Sequence, residues 1–143
     1  MREILFRGKR ADNGKWVYGY YFEAKEHWHD HGKHEAWIAT DFVQNGGWCN
    51  VRGKYAVDPD TVGQYTGRTD KNGKKIFEGD IVKVTDDYGE MNVCSCGIGY
   101  VLFYDGVWYI DDEVNDGLYD VSKIYYIEVI GNIHDNPELL KGE

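Results

Sequence analysis

The chain predicts an all-β fold, strand-rich with one or two short helical turns. Three observations carry this. The 12 Tyr, 5 Trp and 5 Phe suit pleated, half-buried surfaces with one wet edge. The 18 Gly against 2 Pro point to strands joined by tight turns. No window carries a long apolar repeat at a period of 3.6 residues.

Residues 2 to 22 read as a hairpin: Ile4 and Phe6 alternate with polar neighbours, and Asp12-Asn13-Gly14 supplies residues that tolerate positive φ. Trp16, Tyr18 and Tyr20 alternate on the return strand and are expected to face a core, with Arg2, Arg7, Lys9 and Arg10 facing water. Residues 23 to 36 are polar, a loop or extended hairpin tip. A strand follows over Ala36 to Val43, then a Gly46-Gly47 turn and a return over Val51 to Val57. Asp58 is placed to cap one helical turn opened by Pro59.

Gln64 to Arg68 is a short strand, Asp70-Lys71-Asn72-Gly73 a hairpin turn and Lys74 to Phe77 the returning strand. Glu78-Gly79-Asp80 bends the chain into a strand over Ile81 to Thr85. Gly97-Ile98-Gly99 reads as a turn, since it lacks the strand and helix of a nucleotide loop. Gly99 to Tyr104 and Val107 to Ile110 flank Asp105-Gly106, another hairpin. Ile124 to Ile133 is a β-branched core strand. Asn136 is placed to cap a last short helix with Pro137 first, Glu138 in its first turn and Leu139-Leu140 facing inward. The block Lys74 to Ile110 has the rhythm of an SH3-like barrel, so the expected architecture is an N-terminal β-hairpin lobe plus such a barrel.

Composition bounds function. Residues 1 to 54 hold 9 Lys/Arg and 7 Asp/Glu, for +2; residues 55 to 143 hold 7 and 18, for −11, giving −9 overall. Between Lys83 and Lys123 no basic residue occurs among nine acids. Such a chain repels phosphate backbones, so nucleic acid is not the expected partner. The acid-only stretch reads as a solvated face or as a surface for a basic partner. No run of about 18 apolar residues exists to span a membrane. Met1 to Arg7 leads into no long apolar region or cleavage site, so no secretory signal is expected. Three Cys, two of them one residue apart, make no disulfide framework and suit a reducing cytosol.

Several blocks together resemble the YopX family of bacteriophage and prophage proteins. They are Arg2-Glu3-Ile4-Leu5-Phe6-Arg7-Gly8-Lys9-Arg10, Asp12-Asn13-Gly14-Lys15-Trp16-Val17-Tyr18-Gly19, the run from Val57 to Val82, and Ile127 to Leu140. They cover about half the chain, in family order. The resemblance implies a β-rich fold, phage or prophage origin, the cytoplasm of the bacterial host and self-association. It implies no activity and carries no functional residues over. The chain is then one YopX-like unit over 1–143, with sub-lobes 1–67, the hairpin region, and 68–143, the barrel with its C-terminal short helix. Residues 24 to 55 and 86 to 98 are where it looks individual; they hold four of the five His and all three Cys.

Reactive constellations are sparse. His27, His29, His31 and His34, with Cys49, Cys94 and Cys96 elsewhere, form the best metal candidate, since imidazole and thiolate suit zinc. No C-x-x-C or H-E-x-x-H accompanies them, and a polar tip with exposed His is the simpler reading, so no metal or cofactor is assigned. Asp111-Asp112-Glu113-Val114-Asn115-Asp116-Gly117 fails the calcium-loop pattern, since its Gly falls late and Ser122 stands where the closing Glu belongs. Ser95 and Ser122 lie in no nucleophile motif, and Cys94 or Cys96 has no catalytic signature. No catalytic residue is expected. Arg2, Arg7, Lys9 and Arg10 with Trp16, Tyr18 and Tyr20 admit a nucleic-acid face, against the simpler reading of a solvated edge over a core face. The leading expectation is a non-enzymatic, homo-oligomeric module that binds a host or phage protein. The alternatives are a nucleic-acid-associated barrel and a metal-binding protein.

Overall fold

A computed structural model of the chain describes residues 3–24, 35–45, 48–86, 97–112, 114 and 116–141, with backbone alone at 41–45, 48–52, 112, 124 and 141. Its strands are antiparallel and divide between two compact units, Met1–Tyr65 and Thr66–Glu143. The all-β class holds.

The first unit begins with β1 (Phe6–Lys9) and β2 (Trp16–Glu23). Their turn forms because the Asn13 carboxamide oxygen accepts from the Lys15 amide at 2.9 Å, while Gly14 N–H donates to the Arg10 carbonyl at 2.9 Å. Next come β3 (Ala36–Asn45) and β4 (Trp48–Ala56), the latter starting earlier than its apolar run suggested. Asp58 then caps a 3-10 turn over Pro59–Thr61, accepting from the Asp60 amide at 3.0 Å, as the Asp-Pro pair predicted. Strand β5 (Gly63–Thr69) starts in this unit and ends in the next. The hydrogen-bonded order is β4-β3-β2-β1-β5.

The core of this unit is Ala36, Ile38 and Val57, with Phe6, Val17, Tyr21 and Val62 packed against it. Gly19 is required where β2 meets β3, since a Cβ there would stand 2.1 Å from the Ala39 carbonyl oxygen.

In the second unit, the end of β5 runs alongside β6 (Lys75–Phe77), tied by the Thr66 hydroxyl donating to the Ile76 carbonyl at 2.8 Å. The turn between them is organised by Asp70. Its Oδ1 accepts from the amides of Asn72 and Lys74, both at 2.9 Å. Strand β7 (Asp80–Thr85) follows a bend in which the Asp80 carboxylate accepts from Phe77 N–H at 2.7 Å. Then come β8 (Gly97–Tyr104), β9 (Val107–Asp112), β10 (Asp116–Gly117), α1 (Leu118–Ile124) and β11 (Tyr126–Asn132). Gly97-Ile98-Gly99 is therefore the start of a strand, with Gly97 opposite Val84 and Gly99 opposite Val82, where a turn was expected.

The sheet order is β10-β9-β8-β7-β11. Its core gathers Val82, Val84, Val101, Ile110 and Ile127 from the strands, Ile76 from β6, and Leu118 and Val121 from α1. Each such side chain contributes roughly 1.5–3 kcal/mol on burial. The sequence reading had no counterpart for α1. Its buried pair Leu118 and Val121 spans one turn only, inside an acidic stretch. A 3-10 turn over Pro137–Lys141 ends the fold, with Leu139 and Leu140 half-buried. The Asn136 side chain faces back to the Asn132 amide at 3.3 Å, and it is the Asn136 carbonyl that accepts from Leu139 N–H at 3.1 Å.

Candidate functional site

Strand register decides which side chains share a face. Arg7 stands opposite Tyr18 and Lys9 opposite Trp16, while Tyr20 faces Ala39 and Phe22 faces Trp37. Trp37 in turn pairs with Ala56, and Ala39 with Lys54. Directly opposed residues lie on one side of an antiparallel sheet. Trp16, Tyr18, Tyr20 and Phe22 therefore share a face with Arg7, Lys9, Trp37 and Lys54. It is the face opposite the core of Phe6, Val17, Tyr21 and Ile38.

The expectation that Trp16, Tyr18 and Tyr20 point inward is overturned. Tyr18 is 48% and Tyr20 54% exposed. Arg7, expected in water, is only 5% exposed, its guanidinium 4.7 Å from the centre of the Trp16 ring. Period 2 correctly separated the two faces but not which was inside. Gly8 and Gly19 lie on the inner side and let Val57 and β3 approach closely, which turns the bulkier aromatics outward.

The outer face is organised by cation–π contacts. The Lys9 ammonium lies 5.5 Å from the Trp16 ring centre and Lys54 4.8 Å from that of Trp37. Phe22 stacks on Trp37 at 6.5 Å between centroids. The Trp37 indole N–H donates to the Ala24 carbonyl at 2.9 Å, which locks its ring. Arg10 follows the other parity, opposite Val57, and its side chain is paired with Asp12 at 2.6 Å. That hydrogen bond raises the Arg10 pKa and lowers that of Asp12. On the core side, burial and a hydrogen bond to Glu23 push the Tyr21 phenol up to about 12.

A second aromatic surface is the end of the β8–β9 hairpin in the other unit. Tyr104 is paired with Val107 across Asp105-Gly106, whose φ values of 49° and 80° make the tight two-residue turn predicted for this pair. The core line of Val101 and Ile110 continues along one face into Trp108 and Phe103. Trp108 packs on the core, but Phe103 lies beyond it and is 55% exposed. The two rings meet edge-on at 5.0 Å. On the opposite face Tyr104, 63% exposed, lies 6.1 Å from Tyr109, and Val107 is 52% exposed. The tip thus presents apolar side chains on both faces, a contact surface that the strand pattern alone did not single out.

Other candidates dissolve into structure. An open hollow lined by Thr69, Asp70, Lys71, Ser122 and Tyr125 to Ile127 contains polar groups already engaged. Asp70 there accepts three amides, Lys71 pairs with Glu128 at 2.8 Å, and the Ser122 hydroxyl donates to the Tyr119 carbonyl at 2.8 Å. Asp111 accepts from the Tyr100 hydroxyl at 2.9 Å and Asp116 from the Gly117 amide at 2.8 Å, so both serve local structure. Among the described residues no three His, Cys, Asp or Glu come together as metal ligands. His27, His29, His31, His34, Cys94, Cys96, Ser95 and Arg2 lie outside the described residues, and Cys49 is placed by its backbone alone in β4. No helix among the described residues is long and apolar enough to cross a membrane.

Residues 5–141 match the family described as YopX protein. The SPbeta prophage-derived uncharacterized protein YopX of Bacillus subtilis (strain 168) is 31% identical over 136 residues, with 84% of this chain and 91% of that protein covered. Among solved structures, the crystal structure of protein EF1440 from Enterococcus faecalis is similar at a TM-score of 0.62 and 26% identity, covering 98% of this chain and 99% of that one.

Proposed function

Since the chain belongs to the YopX family of phage and prophage proteins, we propose that it is a non-enzymatic accessory module that binds a protein partner in the cytoplasm of its bacterial host. The observation that carries this reading is the β8–β9 tip, where Phe103, Tyr104 and Val107 stand more than half exposed around one tight turn. Aromatic anchors of this kind supply most of the binding energy when a pocket on a partner desolvates them. The tip also belongs to the stretch that holds nine acids and no base between Lys83 and Lys123. That negative charge steers a basic surface toward it and repels an acidic one. A basic-rimmed protein with an apolar slot therefore fits better than a second copy, whose own flank carries the same sign.

The test is tagged capture from the lysogenic or infected host, comparing the wild type with a Phe103→Ala/Tyr104→Ala variant. One protein retained by the wild type and lost by the variant supports the reading. A partner retained equally by both removes the tip as the anchor. Self-association, expected from Tyr- and Trp-rich strands, is read on the same material by light scattering. A mass of 16.5 kDa at micromolar concentration refutes it.

A further inference from the structure

The hairpin turn between β5 and β6 carries an inference independent of the protein-binding reading. We propose that Asn72 is a site of spontaneous modification, where the chain converts its own carboxamide into a mixture of aspartate and isoaspartate.

The chemistry lies in the pair Asn72-Gly73. The Gly73 amide nitrogen gives up its proton to solvent base and attacks Cγ of Asn72. The new C–N bond closes a cyclic imide, and the bond to the carboxamide nitrogen breaks. That nitrogen takes protons from water and leaves as ammonia. A second water then opens the ring. Attack at one imide carbonyl gives aspartate; attack at the other gives isoaspartate, whose side-chain carbon has entered the backbone. Nothing is oxidised or reduced, and water is the only co-reactant.

Three Asn-Gly pairs occur in the chain, at 13–14, 45–46 and 72–73. Asn45 is placed by its backbone alone, so the other two are compared. Glycine has no Cβ to obstruct the attack, and nothing lies within 4 Å of where one would stand at Gly14 or Gly73. In both turns the glycine amide donates to a carbonyl, Gly14 to Arg10 at 2.9 Å and Gly73 to Asp70 at 3.0 Å, so folding slows both alike. The carboxamides differ. The Asn13 oxygen accepts from the Lys15 amide at 2.9 Å, which holds it away from Gly14 N. Asn72 is exposed, and among the described residues only its backbone amide is engaged, by Asp70 at 2.9 Å. Its carboxamide is left to turn onto Gly73 N.

The two products have different consequences. Asp70 Oδ1 accepts from the amides of Asn72 and Lys74, and Oδ2 from Val129 in β11. Isoaspartate lengthens the backbone between the first two amides by one carbon, so both can no longer meet Oδ1. Aspartate leaves the backbone unchanged. Either product adds one negative charge to the −9 of the chain.

The experiment is ageing of the full-length protein at physiological temperature and mildly alkaline pH, followed by peptide mapping that separates aspartate from isoaspartate. Asn72 should convert about two- to tenfold faster than Asn13, the factor for freeing one neutral hydrogen bond. In urea, where neither turn exists, the two rates should converge. Asn72→Gln, whose longer side chain closes the ring poorly, should stop conversion at this position and leave Asn13 unchanged. The isoaspartate form, separated by ion exchange and mapping, should melt below the wild type. Asn72→Asp, which reproduces the other product, should melt close to it. Two results overturn the proposal: Asn13 converting as fast as Asn72 in the folded protein, or no conversion of Asn72 while the unfolded chain converts. An isoaspartate form that melts like the wild type overturns the consequence drawn through Asp70.

Discussion

The carboxylate of Asp70 accepts the amide hydrogen of Val129, 59 positions away in the chain, at 3.0 Å. The same side chain accepts from Asn72 and Lys74. A tight turn and the bulged middle of β11 therefore share one buried anion, 7% exposed.

Removing that anion leaves three amides without their acceptor. Asp70→Ala is expected to cost about 3 kcal/mol, the range for buried donors that lose a charged partner. Urea unfolding followed by tryptophan fluorescence measures it. A midpoint unchanged from wild type would mean that water replaces the carboxylate without penalty.

The same residue sets a pH dependence. Burial raises the Asp70 pKa, but the amides of Val129, Lys74 and Asn72 and the charge of Lys74 outweigh it, leaving the folded value below the ordinary 3.8. The stabilisation is complete above that ordinary value and is lost as pH falls through the lowered one. Wild-type stability should drop as pH falls below the ordinary 3.8, and Asp70→Asn should show a smaller drop from a lower start. Denaturation series at each pH decide. Parallel declines in the two proteins would assign the acid sensitivity to other carboxylates.

Gly19 is the tightest point between β2 and β3. Its Cβ would meet the Ala39 carbonyl oxygen at 2.1 Å, and backbone must shift to make room. Gly19→Ala should destabilise the first unit by about 2–4 kcal/mol, an overpacking cost at the high end for one methyl group. A thermal melt like that of the wild type would show that the strands can part at no cost.

Ile76 and Phe103 separate core from surface. Ile76 is fully buried, and Ile76→Ala should cost about 3 kcal/mol. Phe103→Ala at the exposed tip should cost under about 1 kcal/mol. Equal losses by calorimetry would make the tip a structural element and remove its claim as a contact surface.

Much of this architecture was legible where backbone chemistry is local. Asp58-Pro59 announced its turn, Asp105-Gly106 its hairpin, and Asp70 to Gly73 the bend between β5 and β6. Two things were not. Helix α1 shows only Leu118 and Val121 to a periodicity search, because one turn of burial suffices to seat it on the sheet. The facing of β2 was misjudged because both of its faces carry aromatic residues, Trp16, Tyr18 and Tyr20 on one and Tyr21 on the other. Alternation separates such faces; only the close approach at Gly19 and the position of Ile38 decide which is dry. The exposure of Tyr18 and Tyr20 followed from that choice, so their face could be seen as a set of residues but not as a surface.

The pairing of β7 with β11, Val84 against Ile127 and Val82 against Val129, has a consequence for the chain as it is made. Translation delivers β7 and the β8–β9 hairpin well before β11 exists. Until about the 130th codon has been read and its product has cleared the ribosome, one side of β7 is an open edge of Ile81, Val82 and Val84, ready to pair with any extended chain that reaches it. Growing polypeptides on one message are such chains.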